Sequence, residues 1–120
     1  MVTEDYVSYE IAKLLKEKGF EGVCNFQYSI SSKTLGLIIP SEWYNENYFI
    51  PAPTLQMAMK WLRGKGIYIQ IRRSLNTYLY GAIIMKDGTK IYATIPSTLV
   101  TYEELVEAAL KYVLENLIYE

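Results

Sequence analysis

The chain has 120 residues, 51% of them apolar and 21% charged, with a formal charge of −1, which suits one globular domain that buries its own core. It contains no histidine and one cysteine, Cys24, which excludes histidine acid–base chemistry, Ser/His and Cys/His dyads, an internal disulfide and the usual zinc ligand sets. The acidic, polar opening MVTEDYVSYE lacks the basic-then-apolar order of a secretory signal and no apolar run reaches about 18 residues, so the expectation is a cytoplasmic protein off the membrane, one α+β domain over 1–120.

Residues 1–7 read as a loose or short lead-in. Ser8 is a candidate N-cap for a first helix, with Val7 able to staple to Ala12 and with Ile11, Ala12, Leu14 and Leu15 as its apolar stripe. Gly19 ends it, and Phe20 folds back towards Leu15 in a Schellman ending. Residues 23–30 alternate, with Cys24, Phe26, Tyr28 and Ile30 inside and Asn25, Gln27 and Ser29 outside, as in a half-buried strand. Ser31, Ser32 and Lys33 turn the chain into a second strand from Leu35 to Ile39, closed by Pro40. From Ser41 to Ala52 the mixture of Trp43, Tyr44, Tyr48 and Phe49 with Asn45, Glu46 and Asn47 suits an ordered loop over the core.

A second helix starts near Pro53 and Thr54 and runs to about Arg63, before Gly64 and Gly66. It has two apolar stripes, one of Leu55, Ala58, Met59 and Leu62 and one of Met57 and Trp61, so most of its circumference should be covered. Three strands follow as an antiparallel meander: Ile67 to Arg73, Thr77 to Lys86, and Lys90 to Ile95. A two-residue Asp87-Gly88 loop sets Lys86 opposite Thr89, Ile84 opposite Ile91, Ala82 opposite Ala93 and Tyr80 opposite Ile95. One face then holds Ile67, Ile69, Ile71, Tyr80, Ala82, Ile84, Ile91, Ala93 and Ile95. The reverse holds Tyr68, Gln70, Arg72, Leu79, Ile83, Met85 and Tyr92 and is apolar enough to need cover, from the aromatic loop, the first two strands or another subunit. The last helix opens on a capping box, Thr101 with Glu104, and Val100 can staple to Leu105. Tyr102, Leu105, Val106, Ala109, Val113 and Leu117 form its buried stripe, with Glu103, Glu104, Glu107, Lys111 and Glu115 outside. The fold class is α+β: helix, two strands, helix, three-stranded antiparallel meander and C-terminal helix, with the helices packed on one sheet face.

Charge is distributed unevenly. Residues 1–46 carry seven acids and four bases, residues 47–90 seven bases and only Asp87, and residues 91–120 five acids and Lys111. The basic middle contains Lys60, Arg63, Lys65, Arg72, Arg73 and Lys86 with no acid between Glu46 and Asp87.

The segments YVSYEIAKLLKEKGF (6–20), PAPTLQMAMKWLR (51–63) and TYEELVEAALKYVLENLI (101–118) resemble small uncharacterised proteins encoded by gut Bacteroidales and their phages and prophages. The likeness covers less than half of the chain, is helical throughout and implies no activity, substrate or catalytic residue. This chain departs from it at Gly64-Lys65-Gly66, where similar sequences continue with an acidic residue, so the basic middle is particular to this protein.

Two surfaces compete as the functional one. Lys60, Arg63, Lys65, Tyr68 and Arg72 form a candidate nucleic-acid or polyanion site, with Trp61 and Tyr68 for base stacking. The plainer explanation is that cations suit a helix C-terminus and guard an edge strand. Trp43, Tyr44, Tyr48 and Phe49 form a candidate protein interface, since tyrosine, at 12 residues, brings contact area with few rotors; core cover explains them equally. Gly64-Lys65-Gly66 follows a helix and lacks the spacing of a phosphate loop, so it reads as a turn. The glutamates of the last helix read as a solvated face, and Cys24 as a small buried hydrophobe. The expectation is a non-enzymatic accessory protein without metal or cofactor, acting through protein contacts or self-association, with polyanion binding as the alternative.

Overall fold

The computed structural model describes residues 5–22, 24–37, 48–73, 80–86, 89–97 and 101–118, with no side chain described for 72, 73, 80 or 89–97. In chain order these form α1 (Tyr9–Glu17), β1 (Phe26–Ser29), β2 (Leu35–Leu37), β3 (Phe49–Ala52), α2 (Leu55–Arg63), β4 (Ile67–Arg73), β5 (Tyr80–Lys86), β6 (Thr89–Ser97) and α3 (Tyr102–Asn116). The strands make two antiparallel sheets, β2-β1-β3 and β4-β5-β6. The first packs against α1; the second carries α2 and α3.

Each helix begins where a side chain takes an orphan backbone N–H. Ser8 accepts from the Ile11 amide, Thr54 from that of Met57 and Thr101 from that of Glu104, whose carboxylate in return accepts from the Thr101 amide. In α1 the return bond comes from another helix: the Ser8 amide donates to Glu107 of α3 at 3.0 Å. Glu107, expected on the solvated face, is therefore a tertiary cap for α1. At the far end of α1 the Phe20 amide donates to Leu15 O and the Gly19 amide to Lys16 O, closing the Schellman ending with Gly19 at φ 88°.

One core joins the helices to both sheets. Val7, Leu15, Leu62, Ile67, Ile84 and the α3 residues Leu105, Val106, Leu110 and Leu114 are all essentially inaccessible to solvent. The α3 stripe is wider than its sequence pattern suggests, because α3 meets α1, α2 and the strands of the second sheet at once. Leu110, Leu114 and Ile118 join it, while Tyr102, expected within it, is exposed. Residues 5–7 are no loose lead-in. Val7 donates to Pro53 O, Asp5 O accepts from Leu55, and Tyr6 bridges Thr54.

Four further expectations need correction. Phe49–Ala52 is not loop but a strand, pairing Phe26 with Ala52 and Tyr28 with Ile50; its Pro51 is tolerated because β3 is an edge strand. In β1 the deepest side chain is Gln27, expected outside, which lies between Gly36 and Pro51 of the flanking strands and whose Oε1 has no partner among the described residues. Cys24 precedes β1, half-buried, and its thiol donates to Gly22 O. The β5–β6 register starts as expected at Lys86 and Thr89, but irregularities then set Ile84 against Tyr92, Ala82 against Ile95 and Tyr80 against Ser97. Nine residues of β6 thus span seven of β5, which strict alternation does not anticipate.

The expected apolar face of the second sheet is present in Ile67, Ala82 and Ile84, with Ile69 and Ile71 packed at its margin; the side chains of Ile91 and Ala93 lie outside the described residues. On the reverse, Tyr68 and Gln70 are exposed beside half-buried Ile83 and Met85. No helix among the described residues is long and apolar enough to cross a membrane.

Two expectations follow for stability. Leu110→Ala should lower unfolding free energy by roughly 2–5 kcal/mol in a denaturant titration, whereas Leu37→Ala, on a residue 65% exposed, should stay within about 0.5 kcal/mol. The Tyr28 hydroxyl donates to Val7 O at 2.6 Å, and burial, followed by the Glu107 carboxylate, raises its pKa above the ordinary 10.0. A raised folded pKa means that the native state holds the proton longer, so this contribution is complete below pH 10.0 and is lost as pH rises through the folded value. Alkaline denaturation followed by circular dichroism should be less steep above that pH in Tyr28→Phe.

Candidate functional site

The two stripes of α2 meet different fates. Leu55, Ala58, Met59 and Leu62 are buried in the core. Met57 and Trp61, one turn apart on the other side, are only half-buried and form the floor of a surface groove. The expectation that most of the circumference would be covered therefore holds fully for the first stripe and in part for the second, where Trp61 packs against the core.

The opposite wall comes from the segment after α1. Gly19 redirects the chain so that Phe20, instead of only closing the helix end, sets its ring edge-on to Trp61, centroids 5.6 Å apart. Gly22 follows, so tight against Phe20 that an added Cβ would stand 2.3 Å from the end of the ring. With Lys60 and Gly64 these residues enclose about 360 Å³ of largely apolar space, a volume suited to a bulky side chain or small ligand group.

Cations stand at its rim. Lys60 lines the groove, and Lys65 Nζ lies 4.8 Å from the Trp61 ring centroid, an exposed cation–π contact. Lys65 reaches that place because its amide donates to Leu62 O and that of Gly66 to Arg63 O, a turn completed by Gly66 at φ 80°. The reading of 64–66 as a turn matches this backbone.

The sequence-derived candidates separate. Lys60 lines the groove and Lys65 lies over its Trp61, whereas Arg63 is exposed on α2 without lining it and Tyr68 projects from β4. The Arg72 side chain lies outside the described residues; its backbone pairs with Gly81. Of the aromatic set, Tyr48 is 64% exposed, Phe49 is half-buried opposite Ser29, and Trp43 and Tyr44 lie outside the described residues. Phe20 and Met57 were not singled out as functional. The second apolar stripe of α2 is the signal that points to Met57, but nothing local indicates that Phe20 reaches Trp61.

Among the described residues that line the groove, Lys60 is the one titratable side chain. Cys24 lies near Gly22, and burial raises its thiol pKa, which disfavours the nucleophilic thiolate. Among the described residues no three Cys, Asp or Glu side chains gather as metal ligands. The arrangement can bind an apolar group and place an anion beside it. No protein-family model, curated protein or solved structure matches the chain.

Gly22→Ala tests the wall. The Phe20 ring, not backbone, meets the new methyl, so stability should change by about 1 kcal/mol or less while the ring leaves Trp61. With Trp43→Phe as background, Trp61 emission should shift on Gly22→Ala; unchanged emission would contradict the packing.

Proposed function

We propose that this chain is a small non-enzymatic accessory protein that works by protein–protein contact, holding a segment of a partner in the groove between α2 and residues 20–22. The observation that carries this reading is the half-buried second stripe of α2: Met57 and Trp61 line a preformed concavity beside the core that the first stripe fills. Buried aromatic anchors of this kind dominate many interfaces. The resemblance of the helical segments to proteins of gut Bacteroidales and their phages and prophages supports a mobile-element setting, and the unpaired Cys24 supports a cytoplasmic one.

Polyanion binding is the second reading, favoured by exposed Lys60, Arg63 and Lys65 at one helix end. Against base stacking, Lys65 and Phe20 already attend the Trp61 ring. Self-association draws support from β2, an edge strand with Leu35 and Leu37 exposed.

Panning a random peptide library on the immobilised chain should yield binders that weaken about tenfold or more in Trp61→Ala and in Met57→Glu, both with unchanged circular dichroism. Binders indifferent to both variants would contradict the groove. Oligonucleotide binding that falls steeply with salt and survives Trp61→Ala would favour the polyanion reading.

A further inference from the structure

The groove's walls are selective in charge as well as shape. Of the two segments that build it, residues 57–65 carry Lys60, Arg63 and Lys65 and no acid, while residues 20–22 carry one acid, Glu21. Neither Lys60 nor Arg63 has an ion-pair partner among the described residues. The C-terminal end of the α2 dipole offsets part of this positive charge, yet Lys60 in the lining and Lys65 over Trp61, against the one carboxylate of Glu21, leave the rim positive. Beneath the rim the lining is Phe20, Met57 and Trp61, apolar and with room for a large side chain.

From this charge complementarity we infer that the occupant is an acidic peptide segment that inserts one bulky apolar or aromatic side chain into the space beside the Phe20–Trp61 contact, over Met57, with flanking carboxylates meeting Lys60 and Lys65. The inference rests on the reading of the groove as a protein-contact site and specifies its partner. The anchor and the carboxylates act together: the apolar side chain supplies burial, and the charges select the segment and speed its encounter. A basic or neutral segment with the same anchor loses the second element; an acidic segment without an anchor loses the first. Lys65, already over Trp61, is positioned at low entropic cost to meet a carboxylate beside the inserted group.

The probes are capped decapeptide pools with a central Phe, Leu or Ala, flanked by mixtures of Asp, Glu, Gly and Ser or of Lys, Arg, Gly and Ser. Binding is read from Trp61 fluorescence in the full-length Trp43→Phe chain and, independently, from anisotropy of dye-labelled pools. The expected result is about tenfold or greater preference of the acidic Phe and Leu pools over the basic ones, and a similar loss when Ala replaces the anchor. Lys60→Glu with Lys65→Glu should reverse the charge preference, and Glu21→Gln should strengthen acidic binding severalfold, with circular dichroism confirming the fold. Equal binding of acidic and basic pools that still requires Trp61 would overturn the acidic partner and leave the groove reading standing. Acidic pools that bind equally with Ala at the centre, or no Trp61-dependent binding by any pool, would overturn both.

Discussion

The burial of α3 organises this protein. Its stripe from Leu105 to Leu114 is sealed from solvent on contact with α1, α2 and the β4–β6 sheet, and each such side chain contributes about 1.5–3 kcal/mol relative to exposure. Polar contacts refine the arrangement more than they drive it. The Lys111–Glu10 pair, 3.0 Å apart but exposed on both sides, belongs to a class of little net worth. The Glu107 bond to the Ser8 amide instead satisfies a helix end and fixes the register of α1 against α3.

The same constraint explains why a groove exists. A helix that packs on α3 and β4 through Leu55, Ala58, Met59 and Leu62 leaves Met57 and Trp61 half-buried, with Trp61 packed at the margin of the core. Phe20, brought over by the Gly19 ending of α1, meets Trp61 without filling the space beside it. The site is thus assembled from what two helix ends leave uncovered, and Lys65 is at its margin because the same turn that ends α2 sets it over the Trp61 ring.

Locally determined features were legible in the sequence. Ser8, Thr101 with Glu104, and the glycines after α1 and α2 act within one helical turn, so their caps and endings could be read from spacing alone. β3 was not legible, because Phe-Ile-Pro-Ala carries a proline and becomes a strand only by pairing with β1 more than twenty residues earlier. The β5–β6 irregularities and the burial of Gln27 likewise depend on partners distant in sequence. At the site, the basic cluster and the Met57–Trp61 stripe were visible separately; their conjunction with Phe20 is tertiary.

The most direct measurement is chemical-shift mapping of the isotopically labelled chain on addition of a peptide selected by panning. The largest changes should fall on Phe20, Gly22, Met57, Lys60 and the Trp61 indole. Changes centred on Tyr68, Gln70 and Met85, or on the β2 edge at Leu35 and Leu37, with the groove unaffected, would contradict it.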